Sequence, residues 1–171
     1  MKTIEQPKEG DYSAFFSTYL KQTSGNNYEE QLLEQTDHLV QFFSSKADGW
    51  VDQPYELGKW TPKEVLGHII DTERIMAFRA LCIARGEKAS LPGFDQDPYV
   101  VNGKFGKVSI ADLLDNFVAQ RLSLISMLKI LPDGSLDLVG SADGNSITPR
   151  ALLWIIPGHF AHHLQILRAR Y

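Results

Sequence analysis

Four stretches of this sequence carry apolar residues at helical spacing over lengths that exceed any ordinary strand, and two of them open with the same start signal. In Thr61-Pro62-Lys63-Glu64 the threonine is an N-cap, the proline takes the first helical position, and Glu64 closes a capping box. Thr148-Pro149 repeats the cap-plus-proline start. The first long helix is expected from about Tyr28 to Lys46, with Tyr28, Leu32, Leu33, Leu39, Val40 and Phe43 as its apolar stripe. The second runs from Thr61 through Val65, Leu66, Ile69, Ile70, Met76, Ala80 and Leu81 to a C-cap at Gly86. The third opens at Ser109, with Asp112 as a weaker box, and ends near Leu131; the fourth runs from Thr148 to the chain end. Pro157 removes one backbone hydrogen bond from that last helix and should kink it. No strand signal accompanies these runs, so the expected class is all-α, a four-helix bundle. A shorter helix over residues 11–23 (Phe15, Phe16, Tyr19, Leu20), broken by Ser24-Gly25-Asn26-Asn27, should lie across one end of it.

A chain of 171 residues fits one domain, 1–171, and can bury a core without disulfides. A net charge of −4, with no basic stripe, argues against nucleic acid as a partner. No apolar run approaches the roughly 18 residues of a membrane span. The single cysteine, Cys82, fits a reducing compartment, and with a polar N-terminus lacking signal-peptide character the expected location is the cytoplasm. Cys82 has no histidine close in sequence and reads as a small core residue rather than a nucleophile.

Residues 87–108 form a connection of about 22 residues, longer than the ~12–15 that compact domains ordinarily use. Phe94, Asp95, Tyr99 and Phe105 should pin it down. A crossover of that length makes the second and third helices parallel, giving up-down-down-up order.

Several polar residues interrupt the apolar stripes. Glu73 and Arg121 each fall mid-stripe on a long helix, and because buried charges must pair, they are expected to meet. His159 and His163, one turn apart, share a face with Leu152, Ile155, Ile156, Ile166 and Leu167, so both imidazoles point into a core. Two readings compete: core histidines bonded to other side chains, or ligands of a metal ion. His68 lies at the edge of the second helix's stripe, beside Thr72. It sits about 10 Å past the start of its helix, while His163 and His159 sit about 12 and 18 Å before the chain end. Those depths match best if the second and fourth helices are antiparallel, as the long crossover requires. The match favours a three-histidine site with an open fourth position, suited to Zn²⁺ or Ni²⁺. His162, about 60° off the ligand direction, reads as a wall or supporting group, and His38 as solvated. A zinc-protease helix would carry Glu after the first histidine; here Phe160 stands there, so no carboxylate base is in place for water. Activating a thiol asks less, since coordination itself deprotonates it.

Three stretches, Gly58 to Arg74, Pro92-Gly93-Phe94-Asp95-Gln96 and Gly158 to Leu164, resemble the DinB-like superfamily of metal-binding four-helix bundles, which includes YfiT-like metal-dependent hydrolases and thiol S-transferases. The resemblance implies His68, His159 and His163 as metal ligands, up-down-down-up topology and a homodimer. It also implies a thiol S-transferase, in which a metal-bound low-molecular-weight thiolate such as that of bacillithiol attacks a small electrophile. A metal-dependent hydrolase and a non-catalytic metal-binding stress-response protein are the alternatives.

Overall fold

A computed structural model describes residues 4–23 and 27–171. Of the break expected at 24–27, residues 24–26 lie outside the described residues. In chain order, a 3-10 turn at Ala14–Phe16 leads into a short helix α1 (Ser17–Leu20), followed by α2 (Tyr28–Ser44), α3 (Pro62–Ala84), α4 (Gln96–Gly103), α5 (Ile110–Lys129), a two-stranded hairpin β1 (Gly140–Ala142) and β2 (Asn145–Ile147), and α6 (Pro149–Arg170).

The long helices begin where their caps dictate. Thr61 Oγ1 accepts from Glu64 N at 3.2 Å while Glu64 Oε2 accepts from Thr61 N at 2.7 Å, completing the capping box. Ser109 accepts from Asp112 N, and Thr148 accepts from Ala151 N. Asn27 caps α2 through Glu30 N.

Tertiary contacts fix the directions. Tyr28 and Gln35 of α2 bond the carbonyls of Leu153 and Pro157 of α6, so these helices are parallel. One core cluster joins the start of α2 (Tyr28, Leu32) to the ends of α3 and α5 (Ala80, Ile83, Leu124, Leu128) and the start of α6. The other joins the end of α2 (Leu39, Phe43) to the starts of α3 and α5 (Leu66, Ile69, Leu113, Phe117) and the later part of α6 (Phe160, Leu164, Leu167). Hence α3 and α5 run parallel to each other and opposite to α2 and α6, which is up-down-down-up.

Pro157 sits inside an α6 that continues to Arg170. The carbonyl it deprives of a partner is that of Leu153, four residues earlier, and the buried Tyr28 hydroxyl donates to that oxygen at 2.8 Å.

Between the two apolar clusters lies the expected ion pair, with Arg121 Nε 2.8 Å from Glu73 Oε2 and both side chains at most 2% exposed. Arg121 Nη1 donates to Gln35 Oε1 at 3.2 Å, and its guanidinium lies over the rings of Phe117 and Phe160. Arg121 Nη2 and Glu73 Oε1 lack a hydrogen-bond partner, so the pair is held by charge and ring stacking more than by ideal hydrogen bonds. Burial raises the Glu73 pKa, against the lowering effect of Arg121.

Four expectations need correction. Residues 87–108 are not one open loop: they contain α4 and a 3-10 turn at Phe105–Lys107. Phe105 does anchor them, packing on Gly67 and Gly103 where a Cβ would collide with its ring, but Tyr99 is half exposed and Leu91 and Val100 are buried instead. The last connection holds the small hairpin, with Leu91 bridged to Ala142. The short N-terminal helix does not cap an end of the bundle. It lies against the middle of α6, where Gly158 lets the Tyr19 carbonyl approach closer than any Cβ would permit. Leu33 points outward, because α2 buries a narrower stripe than its composition suggests.

Candidate metal centre

Antiparallel α3 and α6 bring the early part of one against the later part of the other, and this is what places His68 opposite His159 and His163. His68 and His159 are buried and His163 is half-buried. His68 Nε2 lies 3.0 Å from His159 Nε2, which in turn lies 3.1 Å from His163 Nε2. All three donor atoms fall within 4.8 Å of one another.

Hydrogen bonding alone does not satisfy this arrangement. An imidazole nitrogen has one in-plane site, a proton or a lone pair, so His159 Nε2 can serve one neighbour and not both. A cation can serve all three: bonded at about 2.1 Å, it holds pairs of nitrogens about 3–3.5 Å apart. The donor set therefore fits a borderline-soft divalent metal.

The electrostatics fit as well. Burial, reinforced by His162, lowers the His68 pKa to about 4. Burial, then the neighbouring His68 and His162, lowers that of His163 to about 3. His159 is pushed well below its ordinary value by burial first and by the other three histidines second. At neutral pH all three rings are uncharged and present lone pairs.

The surroundings hold the rings in place. The Thr72 hydroxyl, one turn along α3, lies 3.4 Å from His68 Nδ1 and can accept its proton, which would leave Nε2 for the metal. Trp60 lies 5.0 Å from the His68 ring, and Tyr19 meets His159 and His162 edge-on at 5.3 and 5.5 Å. His162 is half-buried and outside the cluster, a wall group as its angular offset suggests. His38 is exposed on α2, and Cys82 is only partly buried, its thiol pKa raised by burial and by Glu87.

A cavity of about 730 Å³ opens onto His68 and His159. Its walls come from the N-terminal segment (Phe16, Tyr19), the crossover (Phe94, Asp95), the hairpin (Asp143, Asn145) and α3 (Met76, Arg79). A smaller recess of about 490 Å³, lined by Trp60, Lys59 and Tyr171, borders His163 on another side. Sequence reasoning singled out the three histidines. It missed Tyr19 and Arg79, whose roles depend on how α1 and the hairpin dock, and it noted Thr72 beside His68 without pairing them.

Three histidines converging between antiparallel helices, beside an open cavity, make a candidate metal site within a four-helix bundle. The sequence model of the DinB superfamily matches residues 31–167, and the chain belongs to that superfamily. Among solved structures it is similar to YfiT from Bacillus subtilis, described as a probable metal-dependent hydrolase with an unusual four-helix bundle topology. That match has a TM-score of 0.73 at 18% identity and covers 94% of this chain and 88% of that one. It is also similar to TT2238, a four-helix bundle protein, with a TM-score of 0.59 at 17% identity, covering 83% of this chain and 96% of that one. At these identities the likeness is one of fold. No curated protein matches the sequence.

Proposed function

We propose that the protein is a metal-dependent thiol S-transferase, with His68, His159 and His163 holding Zn²⁺ or Ni²⁺. The observation that carries this reading is the make-up of the cluster: three neutral imidazoles and no carboxylate, beside a cavity that reaches two of them. A bound divalent cation would supply a lowered thiol pKa and hence a nucleophile at neutral pH. The protein's own residues do the rest. Thr72 would fix the tautomer of His68, Tyr19 would steady His159 against α1, and the Phe16, Tyr19 and Phe94 wall would hold an apolar electrophile and exclude water. The substrates would be a low-molecular-weight thiol such as bacillithiol and a small electrophile, handled by a cytoplasmic homodimer.

Hydrolysis is the second reading. It is favoured by the description of YfiT and by Asp95 and Asp143 on the cavity wall, carboxylates that could take a proton from water. A purely structural metal site is disfavoured, because the cluster has three members among the described residues and a closed site ordinarily has four. Turnover of an activated chlorinated aromatic by the metal-loaded protein separates the first two. The S-transferase reading expects product only when thiol is added; equal turnover without thiol would establish hydrolysis.

A further inference from the structure

Two arginines are buried among the described residues, and only one of them forms an ion pair there. Arg121 has Glu73 at 2.8 Å. Arg79, on α3, is 5% exposed, yet among the described residues no carboxylate lies within 4.0 Å of it. Its Nη2 donates to the Pro92 carbonyl at 2.6 Å, its Nη1 faces Met76 Sδ at 3.9 Å, and its guanidinium lies 5.7 Å from the Phe94 ring centroid. A guanidinium carries five N–H donors on three nitrogens, and these hydrogen bonds engage two of the nitrogens.

Asp143 attracts Arg79 but forms no ion pair with it among the described residues; its carboxylate also fills the space that a Cβ on Gly93 would take. Burial lowers the Arg79 pKa, and the attraction of Asp143 and Tyr99 only partly offsets this. Arginine still keeps its charge at neutral pH. Buried charges are normally paired, and Arg79, a cation without an ion-pair partner among the described residues, lines the same cavity as His68 and His159.

We propose that Arg79 anchors a carboxylate of the molecule that occupies this cavity, fixing its far end while its near end meets the histidines. The inference rests on the histidine cluster being the reactive end of the cavity. Arg79 is three turns beyond His68 on α3, about 16 Å along the axis. Its side chain leans back toward the helix start, so the remaining span is roughly 10 Å. Met76, Phe16, Tyr19 and Phe94 line the cavity as well, which suits an apolar or aromatic middle. One guanidinium with Asp95 and Asp143 on the same wall matches a single negative charge better than the double charge of a phosphate.

The test is calorimetric binding of 3-phenylpropionate and of its neutral amide to the metal-loaded, full-length protein, in wild type, R79K and R79Q. The acid is expected to bind wild type about tenfold more tightly than the amide, as a charge-assisted contact allows, with that preference reduced in R79K and absent in R79Q. Equal binding of acid and amide to wild type, or binding of neither, overturns the proposal, and this readout needs no substituted protein to fold. An acid preference that survives intact in R79Q also overturns it, since the anion would then sit on the metal. Metal content and the absorbance change on adding cysteamine to cobalt-loaded protein are recorded separately, so failure of the metal or thiol reading shows itself apart from failure at Arg79.

Discussion

Two polar clusters are buried in the middle of this bundle, and they are built on opposite principles. Glu73 and Arg121 are unlike charges that answer each other inside the helices. His68, His159 and His163 are like groups that cannot answer one another, and two of them look onto a cavity. The first cluster finds its counter-charge within the chain, although Glu73 Oε1 and Arg121 Nη2 lack a hydrogen-bond partner. The second finds no such answer among the described residues, and a divalent cation is the partner that its three nitrogens could hold.

Breaking the ion pair should have the largest effect. E73A and R121A should each cost about 3–5 kcal/mol in urea unfolding, because each leaves a buried charge alone. The double variant should cost less than the sum of the two, whereas additive losses would mean the pair is not coupled. The same truncation at half-buried His163 should change the stability of the metal-free protein by only about 1 kcal/mol.

Next in size is G158A. The added methyl would meet the Tyr19 carbonyl, a backbone atom that can move only by shifting α1, so a loss of about 1–3 kcal/mol is expected. Weaker metal binding should accompany it, because Tyr19 leans on His159. T72V tests the support of His68 alone. It should weaken metal affinity about tenfold while leaving the melting temperature of the metal-free protein nearly unchanged.

A pH dependence separates the clusters as well. The histidine pKa values are depressed in the folded state, so between about 6.5, the unfolded value, and about 4 the unfolded chain binds more protons. Stability of the metal-free protein is therefore fully present above pH 6.5 and falls as the pH drops through that range. Unfolding curves at pH 7 and pH 5 should show the decline, and removing His68 and His163 together should flatten it.

What the sequence disclosed follows from length and repetition. The long helices declare themselves through many turns of apolar spacing and through side-chain caps at Thr61, Ser109 and Thr148, all of which form. Glu73, Arg121 and the histidines were legible because a polar residue on an apolar stripe must find a partner. The hairpin was not legible: strands of three residues are too short to alternate, and theirs are held by Leu91 from a distant part of the chain. Helix α4 has eight residues and buries only Val100, so it lacks an amphipathic signal. The docking of α1 depends on Gly158, and a glycine inside a helical run gives no hint of what will approach it. Arg79 was hidden for a related reason, since its isolation is a property of what surrounds it in space.

The most direct test of the central claim is elemental analysis of protein purified without an affinity tag, beside H68A and H159A. About one equivalent of zinc or nickel per chain is expected, lost in both variants, since each removes one of the three proposed ligands. Wild-type protein that holds no metal, even after reloading at neutral pH, would contradict it.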